Sequence, residues 1–454
     1  MKRMKYLTLA ACLLGGLGLF SSCSENDTPV GPDDQEVKHN RQVLVAHIEN
    51  DAKAMADYLR TEPFNATYQA YEQLMVLMKR DMSFIPNMKS LFTAVAERKS
   101  LRNIYPVEAG SELAKMGYLA YITFDNSGFG AQVVFDGKGG CRLLSADHLE
   151  FIFPAQVTGI GTTLFKLIIR NSDDCYQSVA DAQYDNVKRL ACVSRLPKSV
   201  TMTLKGFIDN QEQTLSESVI HLELPQEENS EYVSHNASSY RISGRQNAGM
   251  NTGEGSILDY SLTMADDGMG FDYDYIRDGK SIINCQSLMA RPQKENFANQ
   301  MAKNAFDISD LKTFTIRLFD DLTLTGKIDN GAVFAQYFAQ TIKDRQQTDS
   351  AEDLAEAVES LNRSCRLQFS CKQMTMPETM SFCLVQDDKV NKIEPALKDL
   401  EGGGLIPISQ LVDQQTMDCI DASFKQSYTP AGNSASSILQ FYSAFMQMMP
   451  SLPQ

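Results

Sequence analysis

From Tyr118 onward the sequence alternates with a period of two, and turn-forming residues cut that alternation into short lengths, which commits most of the chain to antiparallel sheet. Residues 118–124, 132–135, 142–144, 149–153 and 162–169 read as strands separated by Asn126-Ser127-Gly128, Asp136-Gly137 and Asn171-Ser172-Asp173. The pattern resumes over 199–208, 214–224, 256–264, 271–276 and 281–287. Asp266-Asp267-Gly268 and Asp278-Gly279 join the last three, and the second pair is the stronger hairpin signal because Asp and Gly both accept positive φ.

Before Tyr118 the period is helical. Leu44, Ile48, Met55 and Leu59, with Val45 and Ala52 beside them, keep the spacing of one buried stripe. Tyr68, Tyr71, Met75 and Met78 repeat it after Pro63, and Met88, Phe92 and Val95 do so again after Pro86. Near the other end, helices are expected over 332–342 and 351–362, the second with Leu354, Val358 and Leu361 in register and Ser350 as its N-cap. Strands follow over 365–371 and 380–385, and Ile438, Phe441, Tyr442, Phe445 and Met449 describe a closing amphipathic helix.

One octamer recurs. Thr203-Leu204-Lys205-Gly206-Phe207-Ile208-Asp209-Asn210 matches Thr323-Leu324-Thr325-Gly326-Lys327-Ile328-Asp329-Asn330 at six of eight positions. Either two similar sheet units each turn at Asp-Asn, or one strand-and-turn solution is used twice.

The expected fold is α+β, an N-terminal helical layer followed by antiparallel β-meander sheets with packed helices. Its divisions are 1–22 and 23–36 ahead of the folded part, a helical segment over 37–117, a β-rich domain over 118–310, and a second α+β unit with a C-terminal helix over 311–454. At 43% hydrophobic the chain can bury a sizeable core.

The first 22 residues are of another kind. Lys2, Arg3 and Lys5 precede an apolar run over 6–20, then Ser21 and Ser22 lead directly into Cys23. About 15 apolar residues are short of the roughly 20 that span a bilayer, so the run reads as a secretory signal. The order Leu19-Phe20-Ser21-Ser22-Cys23 resembles a lipobox, which implies cleavage before Cys23 and diacylation of its sulfur. Residues 24–34 are polar, acidic and rich in turn formers and read as a flexible tether, reaching up to roughly 40 Å when extended. Acidic residues behind a lipidated cysteine also resemble the signal that sends Bacteroidetes lipoproteins to the cell surface. Taken whole, the chain resembles the uncharacterised lipoproteins of Bacteroidetes, a likeness that brings no activity or site with it. Asp349-Ser350-Ala351 is similar to the O-glycosylation motif of exported proteins from that group, which implies a glycan on Ser350.

Charge narrows the partners. The chain holds 42 Lys and Arg against 57 Asp and Glu; loss of residues 1–22 removes three basic residues and no acidic one, leaving 39 against 57 and a formal charge of −18. Phosphate-backbone binding needs the opposite balance, so nucleic acid is not an expected partner. The expected membrane partner is the bilayer that receives the lipid on Cys23.

Apart from Cys12 and Cys23, eight cysteines remain: Cys141, Cys175, Cys192, Cys285, Cys365, Cys371, Cys383 and Cys419. An even number in an exported chain permits disulfides, but several lie within apolar alternation, as in Phe382-Cys383-Leu384, where cysteine serves as a small hydrophobe.

Catalytic signatures are missing from the sequence. Three His-x-Glu triples occur, His47-Ile48-Glu49, His148-Leu149-Glu150 and His221-Leu222-Glu223. Residues two apart share a strand face, which makes His148 and Glu150 with Asp147 the nearest approach to an acid/base cluster. Exposed polar positions on a half-buried strand give the same pattern. There is no His-Glu-x-x-His, Cys-x-x-Cys, Gly-x-Ser-x-Gly or Walker sequence, and the acidic run 266–274 misses the ligand order of a calcium loop. No catalytic, cofactor-binding or metal-binding residue is therefore expected. With no Trp, sugar stacking would fall to the 17 Tyr. The expected role is a non-catalytic, lipid-anchored envelope protein acting in scaffolding, adhesion or binding. The alternative is a carrier of an apolar or lipid ligand on the concave face of a curved sheet.

Overall fold

The computed structural model describes residues 32–58, 63–80, 104–124, 131–184, 187–208, 210–226, 230–234, 239–248, 256–265, 268–290, 308–341, 351–374, 377–386, 391–398, 404–413, 415–416, 418, 434–435, 437–439 and 441–442. The expected helix containing Met88, Phe92 and Val95 lies outside them, as do Cys23, Ser350 and Cys419. In chain order the elements begin with helices α1 (Pro32–Tyr58) and α2 (Pro63–Arg80), strand β1 (Tyr105–Pro106) and the short helix α3 (Glu112–Lys115). Strands then run as β2 (Ala120–Phe124), β3 (Ala131–Phe135), β4 (Cys141–Ser145), β5 (Leu149–Val157), β6 (Gly161–Asn171), β7 (Cys175–Tyr184), β8 (Val187–Pro197), β9 (Ser199–Ile208) and β10 (Gln211–Glu223). After β11 (Tyr232–Ser234), β12 (Tyr240–Ala248) and β13 (Ser256–Met264) come β14 (Met269–Arg277), β15 (Lys280–Met289), β16 (Leu311–Leu318) and β17 (Leu322–Ile328). Helices α4 (Gly331–Thr341) and α5 (Ala351–Ser364) precede β18 (Cys365–Ser370), β19 (Glu378–Gln386), β20 (Asn391–Lys398) and β21 (Leu405–Pro407). The described chain is strand-rich, and helices are few beside the sheets they pack on.

The chain folds as two compact units. Unit I contains α2, α3, β1–β13 and the helical residues near 434–442; unit II contains α1, β14–β21, α4 and α5.

In unit I the larger strand run is β13-β12-β10-β9-β6-β5-β3-β4, antiparallel throughout except for the parallel pair β3 and β5. Its buried face follows the period of two: Phe151 and Phe153 on β5, Phe165 and Leu167 on β6, Val200, Met202 and Leu204 on β9, and Ile220 and Leu222 on β10 are all nearly or wholly inaccessible. Helix α2 packs on β5, β10 and β12. It buries Thr67, Ala70, Tyr71, Leu74, Leu77 and Met78, while Tyr68 and Met75 are only half-buried, so the buried stripe is rotated slightly from the expected one. A smaller sheet, β1-β2-β8-β7-β11, closes over Leu113, Val179, Ala191 and Val193.

In unit II the strands pair antiparallel in chain order, β14-β15-β16-β17-β18-β19-β20-β21, with α4 and α5 inserted between β17 and β18. Arg277 pairs with Lys280 across a two-residue turn in which Asp278 has φ 49° and Gly279 φ 73°, the hairpin expected there. Helix α5 turns Leu354, Ala357 and Leu361 inward. Helix α1 buries Leu44, Ile48 and Ala52, and the Arg41 guanidinium donates to Glu378 at 2.7 Å from Nη2 and 3.3 Å from Nε.

The repeated octamer turns two different ways. Thr203 to Ile208 lie in β9, and Asn210, at φ 61°, completes a tight turn that pairs Ile208 with Gln211. Thr323 to Ile328 lie in β17, but Asn330 caps a helix instead. Its Oδ1 accepts from the Val333 N–H at 3.2 Å and its carbonyl accepts from the Phe334 N–H at 3.0 Å, so the second expected hairpin turn is the start of α4. The strand halves do correspond. Gly206 lies opposite Phe165 and Gly326 opposite Phe314, each glycine on the strand next to the ring.

Candidate functional site

The inner face of the unit I sheet changes character along its strands. At one end the cross-strand row Leu222-Ile242-Leu262 is apolar and buried. Moving along, Ile220 faces Gly244 and Gly244 faces Tyr260; then Ser218 faces Gln246; then Ser216, Ala248 and Ser256 fall in line. Ser216, Ser218 and Gln246 are completely buried. The ring of Tyr260 lies directly over Gly244, where an added Cβ would stand 2.4 Å from the phenol oxygen. Only glycine leaves that space.

Over this polar end come Tyr71 of α2 and the helical residues Ser437 and Tyr442, also buried. Ser434 Oγ donates to Gln246 Oε1 at 3.0 Å, and the Phe441 ring meets Tyr71 and Phe151 at centroid distances of 6.0 and 5.6 Å. Tyr71 Oη, Tyr260 Oη, Tyr442 Oη, Ser216 Oγ, Ser218 Oγ, Ser256 Oγ, Ser437 Oγ and Gln246 Nε2 are inaccessible to solvent and have no hydrogen-bond partner among the described residues. Leaving such a group unsatisfied costs about 1–3 kcal/mol, which makes this cluster of buried polar atoms the candidate site of unit I. Burial raises the phenols of Tyr71, Tyr260 and Tyr442 far above their ordinary range, with Tyr71 and Tyr442 adding to the effect at Tyr260. All three stay neutral and can both donate and accept.

Unit II holds a different cluster. Phe319 and Asp320, consecutive non-glycine residues at φ 50° and 56°, turn β16 into β17, and Asp321 follows them. Asp321 Oδ2 hydrogen-bonds His47 Nδ1 of α1, while Asp321 Oδ1 accepts from the Lys372 backbone N–H at 3.1 Å. Cys371 Sγ, just past β18, lies within 4.8 Å of both donor atoms. Asp51 sits one helical turn beyond His47; desolvation, then the Asp321 charge, lifts its carboxyl to about 7 against the pull of His47 and Lys372. The His47 imidazole is raised too: burial lowers it, but the hydrogen bond and charge of Asp321 outweigh that.

Of the triples read from the sequence, His148 does meet its neighbours. Its Nδ1 is 2.6 Å from Asp147 and its Nε2 3.5 Å from Glu150, whose carboxylate also accepts from Gln132 at 3.3 Å. The group continues as a charge ladder: Lys166 lies 3.5 Å from Glu150 and 2.9 Å from Glu212, and Lys205 lies 2.8 Å from Glu212. Lys166 and Lys205 are directly opposed on β6 and β9, so Glu212 bridges two like charges. Hydrogen bonds from Lys205 and Lys166 hold its carboxyl below the usual range. His221 and Glu223 are exposed on β10, and His47 and Glu49 lie on a helix, where residues two apart diverge. Asp272 and Asp274 alternate with buried Phe271, Tyr273 and Tyr275 along β14. None of the seven described cysteines of the eight is in a disulfide.

No family model matches the sequence, and no curated protein matches it. Among solved structures, the crystal structure of a porin-like protein from Bacteroides vulgatus is 11% identical, covering 56% of this chain and 93% of that chain, with a TM-score of 0.16. A likeness at that score carries no argument about fold or function. Among the described residues, no helix is long and apolar enough to cross a membrane.

Proposed function

We propose that this chain is a non-catalytic protein of the cell envelope, held at the outer membrane, facing outward, by acyl chains on Cys23, and that its role there is binding or scaffolding. The single observation behind this reading is the run from Lys2 through Leu19-Phe20-Ser21-Ser22-Cys23, followed by an acidic, turn-rich stretch; residues 32–36, expected in the tether, open α1 instead. Labelled palmitate enters the full-length chain and not the Cys23→Ser variant, and that variant leaves the membrane fraction. Equal labelling or equal retention of the two overturns the reading. A glycan on Ser350 belongs to the same reading and is checked by intact mass before and after Ser350→Ala.

The binding role falls on the polar inner face of unit I. An acyl chain gains nothing from Ser216, Ser218, Ser256, Gln246 and three phenols without partners. A neutral, hydrogen-bonding occupant, whether a small hydroxylated ligand or ordered water, satisfies them. This observation favours a polar occupant over an apolar or lipid cargo. Native mass spectrometry of the gently extracted chain distinguishes the cases: a discrete added mass of a hydroxylated compound, lost in Ser218→Val/Gln246→Leu, supports a bound ligand, whereas co-purified phospholipid or fatty acid overturns it.

A further inference from the structure

We propose that His47, Asp321 and Cys371 form a three-ligand zinc site in unit II, with Asp51 beside it. The three ligands come from distant parts of the sequence, α1, the β16–β17 turn and the end of β18, which is why no spacing motif announces them. An imidazole nitrogen, a carboxylate oxygen and a thiolate sulfur together are the donor set of Zn(II); calcium and magnesium take oxygen alone.

The geometry is close to what the ion requires. Tetrahedral zinc holds nitrogen, oxygen and sulfur ligands roughly 3.3–3.6 Å from one another, and the three donor atoms already lie within 4.8 Å of one another. The ion replaces the hydrogen bond between His47 Nδ1 and Asp321 Oδ2 and draws the sulfur inward by about an ångström. The site is sheltered without being sealed: the His47 and Asp321 side chains keep 19% and 16% of their exposure, and Cys371 keeps 6%.

Two further observations distinguish this cluster from a chance meeting of polar groups. The first is a supporting shell. Asp321 turns one oxygen toward His47 while its other oxygen is fixed by the Lys372 N–H, and the Gln373 side chain hydrogen-bonds the His47 ring. Metal-binding carboxylates and imidazoles are oriented in this manner by the groups behind them. The second is Asp51. Its Oδ2 is inaccessible to solvent and has no hydrogen-bond partner among the described residues, yet it interacts electrostatically with His47, Asp321 and Cys371 alike. Asp51 feels the Asp321 charge as well as the opposing pull of His47 and Lys372, and a divalent ion bound by His47, Asp321 and Cys371 adds positive charge next to this unpartnered carboxylate oxygen.

The test uses the full-length chain in detergent, stripped with a chelator and titrated with Zn(II) against a chromophoric competitor, with Co(II) as spectroscopic substitute. One zinc per chain is expected, together with a thiolate-to-cobalt charge-transfer band. Cys371→Ala, which leaves a small group at a buried position, abolishes the band and weakens zinc binding by more than about 100-fold, beyond the 10–100-fold that loss of a supporting group produces. His47→Gln weakens binding comparably, while Cys383→Ala, a half-buried thiol elsewhere in unit II, changes neither readout. Absence of stoichiometric uptake by the wild-type chain, or unchanged affinity and band in Cys371→Ala, overturns the proposal. Circular dichroism verifies that each variant is folded, and the Cys371→Ala result decides the matter alone if His47→Gln is not.

Discussion

Gly244 and Tyr260 show how much of the unit I interior rests on one missing methyl group. A Cβ at 244 would meet the Tyr260 ring at 2.3–2.5 Å, and the ring has β12 beneath it and the buried hydroxyls around it. Gly244→Ala therefore displaces the ring and costs about 1–3 kcal/mol by overpacking, read as a lower urea midpoint with an unchanged slope. Glu212 is a contrasting case, a partly exposed carboxylate between Lys166 and Lys205. Glu212→Gln destabilises by about 0.5–1 kcal/mol, more at low salt, since it leaves two ammonium groups opposed. Because the folded carboxyl lies below its ordinary value, its contribution is present above the unfolded value and disappears as pH falls through the folded one. The stability gap between wild type and variant, followed by thermal melts from pH 7 down to pH 3, closes toward the acid end.

At the scale of elements, most strands buried on one side were legible in the sequence, though β16, with Phe314, Ile316 and Leu318 inward, was not read. β9 and β13 have the bounds that their alternation predicts. β8 escapes because Leu190, Ala191, Cys192 and Val193 are buried in succession, which erases the period. β12 escapes for the opposite reason: its inward positions include Gly244 and Gln246, so the buried face is not apolar enough to be recognised. The candidate sites were hidden for related reasons. Buried serines read as surface, and His47, Asp321 and Cys371 meet only through tertiary folding. The octamer erred in an instructive way, since Asp-Asn ends a strand whether a hairpin or a helix follows. Asn330→Ala removes the cap of α4 and costs about 1 kcal/mol, measured by chemical denaturation, while Asn330→Asp keeps an accepting oxygen and loses little.

Across the whole molecule, thiol chemistry follows from burial. Cys192, Cys285 and Cys365 are pushed up to about 12 by desolvation, so each is an inert thiol at neutral pH. In the native chain an alkylating reagent modifies the half-buried Cys141, Cys175 and Cys383 and reaches those three only after denaturation, as peptide mapping will register. Among the described cysteines core packing stands in place of cross-links, so a reducing agent is expected to leave the melting temperature unmoved.

Three times among the described residues a glycine lies beneath an aromatic ring of the neighbouring strand: Gly206 under Phe165, Gly244 under Tyr260 and Gly326 under Phe314. Neither member of such a couple can drift alone, because a methyl arriving first collides and a ring departing first leaves a hole. Descendants of this sequence should therefore exchange both members together or neither, and an alignment of them would show the couples as linked columns long before any shared activity was known.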